Sequence, residues 1–266
     1  DVLAGEGFDA VCHLAGQSSA GASFRDPPGT LAANLGGTLE VLEALRRLQE
    51  RDRPVPRLLA IGSAEEYGAA ARPDPPCRAE DPLLPLSPSA TSKAAATQLT
   101  IQYHRTFGLP TLAARAFNHT GPGQDPRFVF PAFAAQIAAI EAGQQAPLLR
   151  TGDVSVARDF LDVRDVVAAY RALLEHGEPG RVYNVCRGSA LTIGEGLEIL
   201  LGLSTVPIEV TTDPSRLRPA DVPCLFGDPG ALCEATGWRP RRTMNQTLGD
   251  LLEAARAAVR PRGETR

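Results

Sequence analysis

Short apolar runs alternate along this chain with longer segments whose apolar residues recur every three or four positions. Asp9 to Ala15 is apolar almost throughout and ends at Gly16, which predicts a strand buried on both faces. Asp26 followed by Pro27 and Pro28 predicts a helix start, with an acidic N-cap and proline in the first turn. Leu31, Leu35, Leu39, Leu42 and Leu45 are spaced as its apolar face, down to about Leu48. Arg57 to Ser63 predicts a second buried strand, and proline-rich 73–88 a surface loop. A helix through Lys93, Leu99 and Tyr103 should stop at Gly108-Leu-Pro110, and Thr111 to Phe117 predicts a third strand.

Beyond Gly121 the rhythm loosens. Helices are predicted over Phe128–Ala142, from an Asp162 cap to Glu175, over Ala231–Thr236 and over Gln246–Val259. Thr192 and Glu195 form a capping box for one more. Short strands are predicted at Pro147–Arg150, Arg181–Val185 and Ile208–Thr211. The order of elements predicts an α/β fold, a doubly wound parallel sheet with helices on both faces and a small α/β C-terminal lobe. We assign 1–124 to the sheet domain, with 155–185 returning to it. We assign 125–154 and 186–259 to the lobe, with Trp238 as its core plug, and 260–266 to a tail.

Composition narrows the function. The chain has 266 residues, 43% of them hydrophobic, and a net charge of −4, which argues against a nucleic-acid or anionic-membrane binder. Five cysteines without a Cys-x-x-Cys spacing point to a reduced, cytoplasmic setting and away from zinc. No apolar run approaches the ~18 residues of a membrane span. The first residues lack the basic start and apolar stretch of a signal peptide.

Several segments carry chemistry. They are His13-Leu-Ala-Gly-Gln-Ser18, Asn34-Leu-Gly-Gly-Thr38, Ser63-Ala-Glu-Glu-Tyr-Gly68, Ser89 to Lys93, and Arg115-Ala-Phe-Asn-His-Thr-Gly-Pro-Gly-Gln124. Further on stand Ala157-Arg-Asp-Phe-Leu-Asp-Val163 and Leu217-Arg-Pro-Ala-Asp-Val222. In this order they resemble the extended short-chain dehydrogenase/reductase family over nearly the whole chain, and within it the nucleotide-sugar enzymes. The Asn118 segment is similar to the branch that reduces GDP-4-keto-6-deoxy-D-mannose, more than to the GDP-mannose 4,6-dehydratase branch.

Three departures stand beside the resemblance. Ser89 occupies the tyrosine position of the family's Tyr-x-x-x-Lys pair, and Asp221 stands where glutamate is commoner. No Gly-x-Gly-x-x-Gly or Gly-x-x-Gly-x-x-Gly turn, the usual pyrophosphate cradle, occurs in the sequence. A strand–helix–strand unit takes about 30 residues or more, so the chain is expected to begin roughly 50 residues late, with a raw sheet edge.

The resemblance implies roles. Ser63 bonds the sugar's 4-oxygen, Lys93 bonds the nicotinamide ribose, and Glu65 stands where the dehydratase keeps its base. Ser89 is a poor substitute for a phenol, whose pKa is ~10. Leu14, Ala15, Gln17 and Asn34 lie on the cofactor side with the backbone of Phe117–His119, and the cofactor is NADP or NAD. Asn118, Arg158, Arg218 and Asp221 hold the GDP-sugar. His119 bonds its loop; His13, His104, His176 and Tyr67 are structural. The implied assembly is a homodimer through two long helices per subunit, including the one bearing Lys93. Three readings follow: ketosugar reductase, GDP-mannose 4,6-dehydratase, or a non-catalytic sugar-nucleotide-binding remnant.

Overall fold

A computed structural model describes residues 7–216 and 222–259. The first strand, β1 (Ala10–His13), lies parallel to β2 (Arg57–Ser63), which pairs with β3 (Thr111–Ala116). The fourth member, β7 (Val182–Val185), pairs with β3 in the same sense, giving the order β1-β2-β3-β7. Leu58 and Leu59 are both fully buried, yet they pack in different clusters on opposite faces. Successive strand side chains point to opposite sides, so a strand covered on both faces must be apolar without alternation. Among the described residues β1 pairs with β2 alone.

Between β1 and β2 run α1 (Ala20–Arg25), α2 (Pro27–Leu31), a π turn (Ala32–Gly36) and α3 (Gly37–Glu50). Asp26 caps α2 through a bond from the Gly29 N–H at 2.9 Å, worth about 1 kcal/mol for such a cap. The apolar face is corrected here. Leu31 and Leu39 are 37% and 38% exposed, and Thr30, Asn34 and Thr38 are buried instead, ahead of Leu42, Leu45 and Leu48. The wider π turn rotates the helix and brings Asn34 inward; such single turns often mark functional sites.

After β2, a 3-10 turn (Ala64–Glu66) leads through a loop to α4 (Pro88–Phe107), capped by Ser87 and closed by left-handed Gly108. Helix α4 packs on β2 and β3. The second sheet holds β4 (Asn118–Thr120), β6 (Ala157–Asp162), β8 (Ala190–Thr192) and β10 (Cys224–Leu225), with β6 bonded to the other three. None of these four follows from an apolar run. Between β4 and β6 come α5 (Val129–Glu141) and β5 (Leu148–Thr151), and β5 pairs with β9 (Glu209–Thr212).

Helix α6 (Val163–His176), capped by Asp162, returns to the first sheet, whereas α7 (Ile193–Gly202) and α9 (Met244–Val259) pack with α5. Phe130, Phe133, Phe160, Leu197, Leu248 and Leu252 form the lobe's core. The assignment of 186–259 to this lobe needs correction. Helix α8 (Gly230–Thr236) and Trp238 pack against Leu59, Leu112 and Tyr170 of the first domain, and the indole N–H donates to the carbonyl of Asp165 at 3.1 Å. Residues 260–266 lie outside the described residues.

Candidate active site

Strands β1, β2 and β3 run parallel, so their carboxyl ends share one side of the sheet, where open α/β sheets hold ligands. Leu14 to Gly16 follow β1, Ser63 ends β2 opposite Ala116, and Asn118 comes two residues later. The turn after β1 is built by Asn34. Its Oδ1 accepts from the Gln17 N–H at 2.7 Å, and its Nδ2 donates to the Gln17 carbonyl at 3.2 Å and to Ser92 Oγ at 2.8 Å. A Cβ on Gly16 would lie 2.5 Å from Asn34 Oδ1 and 3.5 Å from Lys93 Nζ. Only glycine lets this turn approach both. Leu14 and Ala15 are left exposed and Gln17 half-buried.

Ser63 caps the 3-10 turn: its Oγ accepts from the Glu65 N–H at 3.2 Å, and its own N–H donates to Glu66 Oε1 at 2.9 Å. Lys93 reaches β2 and donates from Nζ to the Ile61 carbonyl at 2.8 Å. Burial lowers the lysine's pKa, and the Glu66 carboxylate partly opposes that. His13 is also lowered, first by burial and then by the charge of Lys93. Its Nε2 is buried without a hydrogen-bond partner among the described residues.

Ser89 lies in the first turn of α4, 7% exposed, on the helix face that Lys93 shares one turn later. None of the chain's four tyrosines replaces the absent phenol, for all four are buried elsewhere. Tyr67 donates to Asn184 Oδ1 at 2.7 Å, and burial pushes its pKa up to about 12. Tyr103 donates to Glu43 at 2.6 Å, and Tyr183 accepts from the Glu178 N–H at 2.9 Å. Tyr170 packs in the core of the first sheet.

Next to the Ser63 turn opens a cavity of about 590 Å³. Glu65, Asn118, Arg127 and Arg158 line it above an apolar floor that includes Phe133 and Phe160. Two guanidiniums suit a diphosphate, which they grip as a planar fork. Arg158 also donates to the Val222 carbonyl at 2.6 Å, so it joins β6 to the segment leading into β10. Phe117 has its ring in the core beside Tyr67, and its carbonyl oxygen lies 3.0 Å from His119 Nδ1. Arg218 and Asp221 lie outside the described residues.

The predicted residues therefore gather in two adjoining groups. Gln17, Asn34 and Lys93 stand at the ends of β1 and β2, with Ser89 one turn before Lys93 on α4; Glu65, Asn118 and Arg158 face the cavity; and the Ser63 turn joins them. Sequence reasoning missed Arg127, three residues beyond Gln124, and it missed Glu66. It also missed a count: of 27 basic residues 26 are arginine, and Lys93 is the only lysine. Among the described residues no helix is long and apolar enough to cross a membrane, and no group of His, Cys, Asp and Glu is placed to hold a metal.

Known proteins resemble the chain closely. A family model described as GDP-mannose 4,6 dehydratase matches residues 1–251. The GDP-6-deoxy-D-mannose reductase of Pseudomonas aeruginosa is 43% identical over 95% of this chain and 82% of its own length. GDP-mannose 4,6 dehydratase 1 of Arabidopsis thaliana is 30% identical over 88% of this chain and 64% of its own. The solved structure of RMD from Pseudomonas aeruginosa complexed with NADPH superposes with a TM-score of 0.87 at 43% identity, covering 94% of this chain and 82% of that one. A dTDP-glucose 4,6-dehydratase from Bacillus anthracis in complex with NAD gives 0.76 at 25% identity, covering 95% and 74%.

Proposed function

Because this chain belongs to the GDP-mannose 4,6-dehydratase family, we propose that it reduces a nucleotide-linked 4-keto-6-deoxy sugar, GDP-4-keto-6-deoxy-D-mannose to GDP-D-rhamnose, with NADPH or NADH. The observation that carries this reading is the 43% identity to a GDP-6-deoxy-D-mannose reductase, against 30% to a GDP-mannose dehydratase. The site residues fit the nicotinamide half of such a cofactor. Gly16 keeps the turn free of a Cβ beside Lys93 Nζ. Lys93 has three N–H donors and spends one on Ile61 among the described residues. When bound, the reduced nicotinamide supplies the hydride.

The remaining work falls to the chain. Ser63 donates its hydroxyl proton toward the sugar's 4-oxygen, and the Lys93 ammonium stabilises negative charge developing there. Asn118 and Arg158, with Arg127, hold the sugar diphosphate. Arg218 and Asp221 complete the nucleotide side. With serine at position 89 no phenol delivers the proton, which comes instead from solvent water, and losing a positioned acid typically costs roughly 10²–10⁴-fold in rate. The same reading includes a homodimer in a reduced, cytoplasmic setting. Exposed Phe24, Leu31 and Leu39 support pairing through the helices that follow β1; the five cysteines are all free.

A second reading, the 4,6-dehydratase reaction, is favoured by one observation: Glu65 is exposed on the cavity wall, where a carboxylate can take a proton beside a ketone. The test mixes purified protein with GDP-4-keto-6-deoxy-D-mannose and NADPH and follows nicotinamide oxidation, with calorimetry of NADPH and GDP alongside. Slow oxidation with formation of GDP-D-rhamnose is expected. In a second incubation, with GDP-mannose and NADP in place of the keto sugar and NADPH, formation of GDP-4-keto-6-deoxy-D-mannose supports the dehydratase. Binding of GDP without turnover, even after Ser89→Tyr, makes the protein a non-catalytic remnant.

A further inference from the structure

One fully buried carboxylate joins every element that carries the reacting side chains. Glu66 is 0% exposed. Its Oε1 accepts from the Ser63 N–H and from Thr97 Oγ1, both at 2.9 Å, and its Oε2 accepts from Arg115 Nε at 2.8 Å. Ser63 ends β2, Arg115 belongs to β3, and Thr97 stands on α4 four residues beyond Lys93, on the same face. The backbone makes room for this arrangement at Gly62. A Cβ there would lie 2.2 Å from Glu66 Oε1 and 2.7 Å from Thr97 Oγ1.

Arg115 is itself held on all sides. It donates to the Ala79 carbonyl at 2.7 Å, and its guanidinium carbon lies 5.1 Å from the centre of the Tyr67 ring. The ion pair is thus anchored independently of any ligand. A carboxylate in such a place stabilises little by itself, since desolvation offsets much of the attraction, whereas removing one partner is costly. Its specific effect is geometric.

We propose that Glu66 is a positioning residue, which locks the Ser63 turn to the helix bearing Ser89 and Lys93 and so fixes the spacing of the two groups at the sugar oxygen. The proposal rests on the reductase reading for its kinetics but not for its spectroscopy. The charged groups around Lys93 are Glu66 on the turn after β2, with Arg115 behind it on β3, and His13 on β1. Of these, Glu66 is the one that favours the ammonium, so neutralising it should shift the lysine's titration to lower pH.

Because Lys93 is the only lysine, protein labelled with carbon-13 at the lysine ε-carbon gives a single lysine signal that needs no assignment. The experiment titrates that signal in the wild type, Glu66→Gln and Thr97→Val without ligand, and measures kcat, KM and NADPH affinity for each. Expected for Glu66→Gln are a lysine midpoint at lower pH and a kcat reduced ~10–100-fold, the scale of a misplaced reacting group, with NADPH affinity within about threefold. Thr97→Val keeps the ion pair and releases the helix alone, so it should lower kcat without moving the midpoint.

Folded Glu66→Gln with an unmoved midpoint and wild-type kcat overturns the proposal. If Glu66→Gln does not fold, Thr97→Val decides: wild-type kcat in the folded variant overturns it as well. If the wild type itself never oxidises NADPH with the keto sugar, the reductase reading fails. The lysine titration then still tests Glu66, an unmoved midpoint in Glu66→Gln counting against it.

Discussion

The ammonium of Lys93 is tied to the carbonyl oxygen of Ile61 at 2.8 Å, two residues before Ser63 on the same strand. A helix side chain is thereby referenced to the strand that carries its partner. Arginine cannot occupy the position equivalently, because its guanidinium is larger and planar and spreads its donors in a rigid fork. Lys93→Arg and Lys93→Met should both fold, since among the described residues the lysine's hydrogen bond goes to a backbone carbonyl and not to a carboxylate. Both should lose ~100-fold or more in kcat/KM, the scale of lost acid–base and charge assistance. Steady-state kinetics with the keto sugar, beside a thermal melt, checks this.

Ser89 and Lys93 share a face, so a phenol at position 89 would project beside the ammonium. Ser89→Tyr should raise kcat by roughly 10²–10⁴-fold with little change in KM for the sugar. Burial of Ser89 sets a condition: the larger ring must leave along the face toward Ser63. A melting temperature lowered by more than several degrees, without faster turnover, would show that it does not.

Legibility from sequence followed the physics of each element. Strand β2 was bounded correctly because burial on both faces demands an unbroken apolar run, and Asp26, Asp162 and Thr192 cap helices because their side-chain oxygens accept orphan N–H groups. Strands β4 and β6 carry Asn118, His119, Arg158 and Asp159, and polar residues at strand ends leave no period to read. Leu31 and Leu39 read as core because a regular helix was assumed where a π turn intervenes. Of the site, Asn34, Ser63 and Lys93 were found through motifs. Glu66 was not, since its partners Ser63, Thr97 and Arg115 come from three elements that only the fold brings together.

Asn34 should be among the least tolerant polar residues. Its side chain makes three bonds while 1% exposed, and two of them hold Gln17. Asn34→Ala leaves the Gln17 N–H and Ser92 hydroxyl without that partner, at about 2–3 kcal/mol for buried polar groups so deprived. The loss should appear in urea unfolding. Asn34→Asp retains the acceptor but loses both donor bonds, and should fall between.

Leu39 lies 38% exposed on α3, with Leu31 on the same side of that helical segment. If these leucines meet a second copy, Leu39→Glu should leave the stability of the single chain within about 0.5 kcal/mol, as surface changes do, and shift the mass from dimer toward monomer. Light scattering behind a sizing column reads the outcome. A wild type that is monomeric at every concentration tested removes the basis for pairing through this face.

Glu141 gives the clearest pH dependence. Its carboxylate accepts from Arg256 Nε at 2.7 Å and from a terminal nitrogen of Arg256 at 2.6 Å, and from the Thr205 N–H at 2.9 Å, so it joins α5, α9 and the turn after α7. The bonds from Arg256 outweigh burial and hold its pKa at about 2. The unfolded chain keeps the ordinary carboxylate value, so at intermediate pH the unfolded state binds more protons than the folded one. The contribution is therefore complete above the ordinary value and is lost as pH falls toward 2. Partial exposure of the pair discounts its size, and at neutral pH Glu141→Gln should cost about 1–2 kcal/mol, in the range of hydrogen bonds to charged groups. Urea midpoints of wild type and variant should converge as pH is lowered from about 5 toward 2. A gap that stays constant over that range would mean that the carboxylate's charge contributes nothing to holding the three elements together.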